Sequence, residues 1–62
     1  MTTVARARAE QQEAEDYAAL ILDGQPHDWA AINRTIITRY SMTALRRIKE
    51  QAWRIVTEKR HG

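Results

Sequence analysis

Large apolar residues recur at helical spacing in two separate stretches of the chain. Intervals of three, four and four separate the members of the first stripe, which are Trp29, Ile32, Ile36 and Tyr40. The second stripe comprises Leu45, Ile48, Ala52, Ile55 and Val56. Both patterns are typical of helices that bury one face, and no alternation typical of strands is present. The sequence therefore predicts helices over both stretches.

The two stripes cannot belong to one straight helix. At about 100° per residue, a continuous helix would place the second stripe about 120° away from the first, so both could not face one core. A break near Tyr40 and Ser41 removes the conflict. Ser41 is a competent N-cap for a new helix, and Thr43 is the alternative. We therefore predict a short turn at this point.

Caps and helix breakers set the other predicted boundaries. Thr2 or Thr3 can serve as the N-cap of a first helix, and Gly24 stands where a C-terminal cap is expected. Pro26 cannot continue that helix, and Asp28 suits the N-cap of the next. The predicted helices span residues 3–23, 29–40 and 42–59.

These elements predict an all-α fold of three helices in a single domain, residues 1–62. The second and third helices form a pair similar to a helix-turn-helix unit. Residues 5–16 consist of alanine and polar or charged residues and offer little to bury, whereas residues 17–22 are mostly apolar. We expect residues 1–16 to fray or project from the domain, with packing and swapping between subunits as alternatives.

Composition limits the classes of function. The chain has 62 residues, no Cys and two His, so it is too short for a deep-cleft enzyme and lacks disulfides and the ligands of a His/Cys zinc site. We expect no enzymatic activity, cofactor or metal, no membrane contact and a cytoplasmic location. A core this small, with neither a disulfide nor a metal site to stabilise it, favours a homo-oligomer or docking on a partner.

Charge is divided unevenly along the chain. Residues 1–24 carry a net charge of −3 and residues 25–62 a net charge of +5. A basic second half favours a polyanionic partner, while an acidic first half favours something basic, such as a neighbouring subunit. Two solvated helix faces are the alternative explanation.

Duplex DNA is the leading partner that the sequence predicts. The outer face of the third helix is rich in arginine, and such a helix can enter the major groove while neighbouring side chains contact phosphates. The candidate DNA-binding residues are Arg34, Arg39, Ser41, Thr43, Arg46, Arg47 and Arg54. Residues 28–56 resemble small helix-turn-helix proteins of bacteria and their phages in layout, which implies a regulatory DNA-binding role. The likeness carries no specific motif, and no residue role is transferred from it.

A protein-interaction module is the alternative function. Trp53 lies at the edge of the apolar stripe of the third helix, where it can anchor a larger protein together with the basic face. The chain would then act as a small inhibitor or adaptor. We expect Trp29, by contrast, to pack in the core. Catalysis is disfavoured because the carboxylates of the first helix lack the burial that would shift their pKa values.

Overall fold

Three α-helices make up the described part of the chain. The computed structural model describes residues 4–61, in which α1 is Val4–Leu22, α2 is Trp29–Arg39 and α3 is Met42–His61, with no strand. The all-α, three-helix prediction is confirmed for these residues. The predicted caps Thr2 and Thr3 lie outside them. Compared with the predicted ends at residues 23, 40 and 59, α1 and α2 end one residue earlier and α3 two residues later.

Local hydrogen bonds explain where α1 ends and α2 begins. The Asp23 carboxylate accepts a hydrogen bond from the Gln25 amide at 2.8 Å, and Gly24 adopts a φ of +72°. This left-handed conformation suits glycine and turns the chain out of the helix. The Asp28 side chain then accepts from the Ala31 amide at 3.1 Å, which confirms Asp28 as the N-cap of α2.

The predicted break between the second and third helices is present at residues 40–41. Tyr40 closes α2 by donating its amide proton to the Ile36 carbonyl at 2.9 Å. The Ser41 hydroxyl oxygen accepts from the Ala44 amide at 3.0 Å, so Ser41, and not Thr43, caps α3. At its other end α3 continues to His61, because basic residues in the last turn complement the helix dipole.

The core lies where α3 packs against both other helices. Both apolar stripes face this core, and α3 supplies five of the nine buried residues. Four of the nine buried residues are alanines, which leave room for close approach of the helices. The buried residues are Ala14, Tyr17, Ala18, Ile36, Ala44, Leu45, Ile48, Ala52 and Val56.

Side chains join α1 to α2. The buried Tyr17 hydroxyl donates to the Asn33 side-chain carbonyl at 3.0 Å, and the Tyr17 ring lies 4.9 Å from the Trp29 ring. Trp29 packs against the core as predicted. In α1, Ala14 is fully buried while Val4 is largely exposed, so burial of this helix in the core begins near its middle. Within residues 4–61, none of the three helices is both long and apolar enough to span a bilayer.

Candidate interaction surface on the third helix

One of the predicted DNA contacts is engaged inside the molecule. Arg47 on α3 donates two hydrogen bonds to the Glu10 carboxylate on α1, from Nε to Oε1 and from Nη2 to Oε2, both at 3.1 Å. The Glu10 side chain is only 14% accessible and also lies 3.6 Å from Arg6. The Arg47 hydrogen bonds lower the pKa of the Glu10 carboxyl below its usual value, and the Arg47 pKa is raised in turn. Arg47 therefore links α1 to α3.

A second predicted contact also faces a carboxylate of α1. Arg39, the last residue of α2, places Nη1 3.5 Å from Oε1 of Glu13. Glu10 and Glu13 of α1 thus each lie beside an arginine of another helix. Two of the five arginines expected to contact DNA consequently have partners within the chain.

The other three predicted arginines are exposed. Within residues 4–61, the side chains of Arg34, Arg46 and Arg54 form no ion pair or hydrogen bond. Arg34 lies on the outer side of α2, about 160° around the helix from the buried Ile36. Arg46 and Arg54 lie on α3 two turns apart. The structure therefore brings only these two together on one face.

The two hydroxyl residues of the predicted set differ in role. Ser41 is half-buried and its oxygen caps α3, which gives it a structural task. Thr43 is exposed on the first turn of the same helix. Of the seven predicted DNA-binding residues, Thr43, Arg46 and Arg54 thus share the open side of α3.

Trp53 is a large apolar residue that is half-exposed on this side of α3. Its side chain is 49% exposed, a large value for an indole on a helix that supplies most of the core. The residues around it form a shallow depression that we call the Trp53 surface: Arg46, Lys49, Glu50, Trp53 and Arg54. Three cations and one carboxylate thus surround a half-open indole. Met42, 56% exposed, lies on the same flank three turns earlier.

A second depression adjoins the Trp53 surface. We call it the aromatic groove, and its walls include Tyr17, Leu20, Ile21, Trp29 and Trp53. Lys49 lies at the boundary, because it lines both depressions. The C-terminal end of α1 and the following loop form the far side, where Gly24 adds no side chain to fill the space. An apolar trough beside a basic rim therefore continues from α3 across to α1.

Sequence reasoning missed Lys49 and the apolar wall opposite Trp53. Lys49 precedes Trp53 by four residues, which places the two on neighbouring turns of one helix face, and this spacing was a usable signal. Leu20 and Ile21 carried no such signal, because their position opposite Trp53 depends on how α1 packs against α3.

Residues 4–61 contain neither a candidate metal site nor an unpartnered buried polar side chain. No three His, Asp or Glu side chains among residues 4–61 come close enough together to hold a metal ion. Every buried side-chain nitrogen or oxygen in that range has a hydrogen-bond partner. Burial raises the pKa of the Tyr17 phenol, but this hydroxyl already donates to Asn33 and serves the core.

Comparison with known proteins identifies no relative of the chain. No protein-family model matches it, and neither a curated protein nor a solved structure matches it. Function must therefore be argued from the geometry of the Trp53 surface and the aromatic groove.

Proposed function

We propose that the chain is a small non-enzymatic protein-interaction module that engages a larger protein through the Trp53 surface. The observation that carries the proposal is the half-open indole of Trp53, framed by cations that have no carboxylate partner among residues 4–61. Tryptophan and arginine dominate the binding energy of protein interfaces, since they combine a large apolar area with directed hydrogen bonds.

The partner that fits this surface is acidic and carries a bulky apolar side chain. Arg46, Lys49 and Arg54 outnumber Glu50, so the surface attracts carboxylates. The adjoining aromatic groove accepts an apolar group against Trp29 and Trp53. Both features occur on one continuous face, which favours a folded protein or a helical segment over a small ion.

Selective loss of binding tests this function. The chain, immobilised, is exposed to cell extract pretreated with nuclease, in wild-type form and as Trp53→Ala. Hot-spot tryptophans contribute about 2 kcal/mol or more, so we expect the variant to retain its partner at least about thirtyfold more weakly. Val4→Ala is the matched control, because Val4 is also a large exposed apolar residue but lies far along α1. Equal retention by Trp53→Ala and wild type would refute the proposal.

Duplex DNA is the second candidate. It is favoured by Thr43, Arg46 and Arg54, which share the open side of α3, a helix that follows a two-residue turn. A helix-turn-helix-like use of α2 and α3 would present these residues to the major groove. We place DNA second because Arg39 and Arg47 pair with glutamates of α1.

Salt dependence tests the DNA candidate. Duplex affinity should fall steeply with salt, and Arg54→Gln should reduce the logarithmic slope by about one unit for the lost phosphate contact. Arg47→Gln is the matched control and should leave the slope nearly unchanged, because Arg47 is bound to Glu10. Absence of duplex binding at about 50 mM salt would eliminate this candidate.

A further inference from the structure

Residues of α1 and α3 together form a surface whose net charge is opposite to that of the Trp53 surface. Between α1 and α3 lies a depression that we call the acidic groove, and its walls include Glu15, Asp16, Ala19, Leu22 and Ile55. Within the described residues Glu15 has no ion-pair partner, and Asp16 accepts only a hydrogen bond from Gln12, at 3.1 Å. Leu22 is 37% exposed and gives the groove an apolar end.

Chemistry on the acidic groove complements the Trp53 surface. The acidic groove offers two carboxylates, with Lys59 as its single cation, and an exposed leucine. The Trp53 surface offers three cations, with Glu50 as its single carboxylate, and an exposed indole. Two copies that met through the Trp53 surface alone would bring like charges together, which is unfavourable. Opposite charges meet only when the two different surfaces face each other.

A single chain cannot bring its own two surfaces together. Trp53 lines the Trp53 surface and Ile55 lines the acidic groove, and two residues along an α-helix correspond to a rotation of about 200°. The surfaces therefore lie on opposite flanks of α3. Contact between them must be intermolecular and head-to-tail, so that each copy has one surface left for the next.

We propose that the Trp53 surface of one copy docks into the acidic groove of a second copy. The inference rests on the proposed function in one respect: it uses the same docking surface, for which a second copy and a larger protein compete. Association buries Trp53 and Leu22 and places Arg46 and Arg54 near Glu15 and Asp16. It also adds apolar burial to a chain whose core contains four alanines among nine buried residues.

Charge reversal with complementation tests the proposal by sedimentation velocity at low salt. One variant carries Glu15→Arg and Asp16→Arg, and the other carries Arg46→Glu and Arg54→Glu. In each variant both surfaces have the same sign, so we expect association more than tenfold weaker than in wild type. In an equimolar mixture opposite signs meet again, and association should return. All four residues are exposed, so helicity at 222 nm should be unchanged.

A matched control separates surface contacts from net charge. Arg8→Glu with Arg34→Glu changes the net charge as much as the Arg46/Arg54 variant does, at exposed positions outside both surfaces. This control should associate like wild type. A wild-type chain that stays monomeric as its concentration rises, or a mixture that stays monomeric, would overturn the proposal.

The outcomes separate this inference from the proposed function. A monomeric chain whose Trp53→Ala variant loses a nuclease-resistant partner from extract would refute the second-copy proposal and leave the docking surface intact. Self-association that Trp53→Ala does not weaken would refute the second-copy proposal alone, because the contact between copies would then not use the indole. The proposed function fails only if Trp53→Ala retains the extract partner as well as wild type does.

Discussion

Replacing Ser41 by alanine removes the cap on which the turn between α2 and α3 depends. The Ser41 oxygen accepts from the Ala44 amide at 3.0 Å, and Ala44 is fully buried. Loss of a serine N-cap costs about 0.5–2 kcal/mol. Because water cannot easily reach the amide of a fully buried residue, we expect the upper half of that range, about 1–2 kcal/mol.

Unfolding followed by circular dichroism at 222 nm measures this cost. For a domain of this size, about 1 kcal/mol lowers the melting temperature by roughly 4–8 °C. Ser41→Asp should recover most of the loss, since a carboxylate caps equally well and complements the helix dipole. Thr43→Ala is the matched control, because Thr43 is exposed and does not cap α3, and it should stay within about 0.5 kcal/mol of wild type. Equal effects of Ser41→Ala and Thr43→Ala would refute the capping argument.

Three further predictions concern the rest of the fold. Gly24→Ala should destabilise the chain by about 1 kcal/mol, measured by urea unfolding, because φ is +72° there although no atom would clash with the added methyl group. Burial raises the pKa of the Tyr17 phenol. In a Tyr40→Phe variant we therefore expect this phenol to ionise above pH 10, as measured by absorbance at 295 nm, and the free energy of unfolding to fall as the pH rises beyond that value. Ionisation of the phenol near pH 10 would contradict the burial. Because Arg47 lowers the pKa of Glu10, stability from this carboxylate is present above about pH 4.5 and is lost as pH falls through the folded pKa. Glu10→Gln should therefore flatten the acid side of the stability curve, and an unchanged curve would contradict the pairing.

Periodicity was sufficient to locate the helices and the turn between α2 and α3. The phase difference between the two apolar stripes predicts a break near Ser41 without any knowledge of tertiary contacts, because each stripe must face the same core. The predicted helix ends differ from the observed ones by one or two residues, because helix ends depend on local hydrogen bonds such as the one from the Gln25 amide to Asp23. The bond lies just beyond the end of α1, which is one residue before the predicted end.

Contacts between helices could not be predicted in the same way. Glu10 and Arg47 are 37 positions apart, and their pairing depends on the rotation and spacing of α1 against α3. Small residues such as Ala14 and Ala52 set that spacing, and alanine patterns give little directional signal in a sequence. The same limit applies to Trp53, because its exposure depends on where the end of α1 lies. Arginine content alone therefore gave no sign that Arg39 and Arg47 lie beside glutamates of α1.

Trp53 is half-exposed in the isolated chain, and in the proposed assembly it is covered when copies associate. A Trp29→Phe variant leaves Trp53 as the only tryptophan and retains an aromatic ring beside Tyr17. Acrylamide quenching of its fluorescence measures access to the indole directly. We predict strong quenching in dilute solution and progressively weaker quenching as the chain concentration rises at low salt. An indole that is shielded at every concentration, or equally accessible at all of them, would contradict the account.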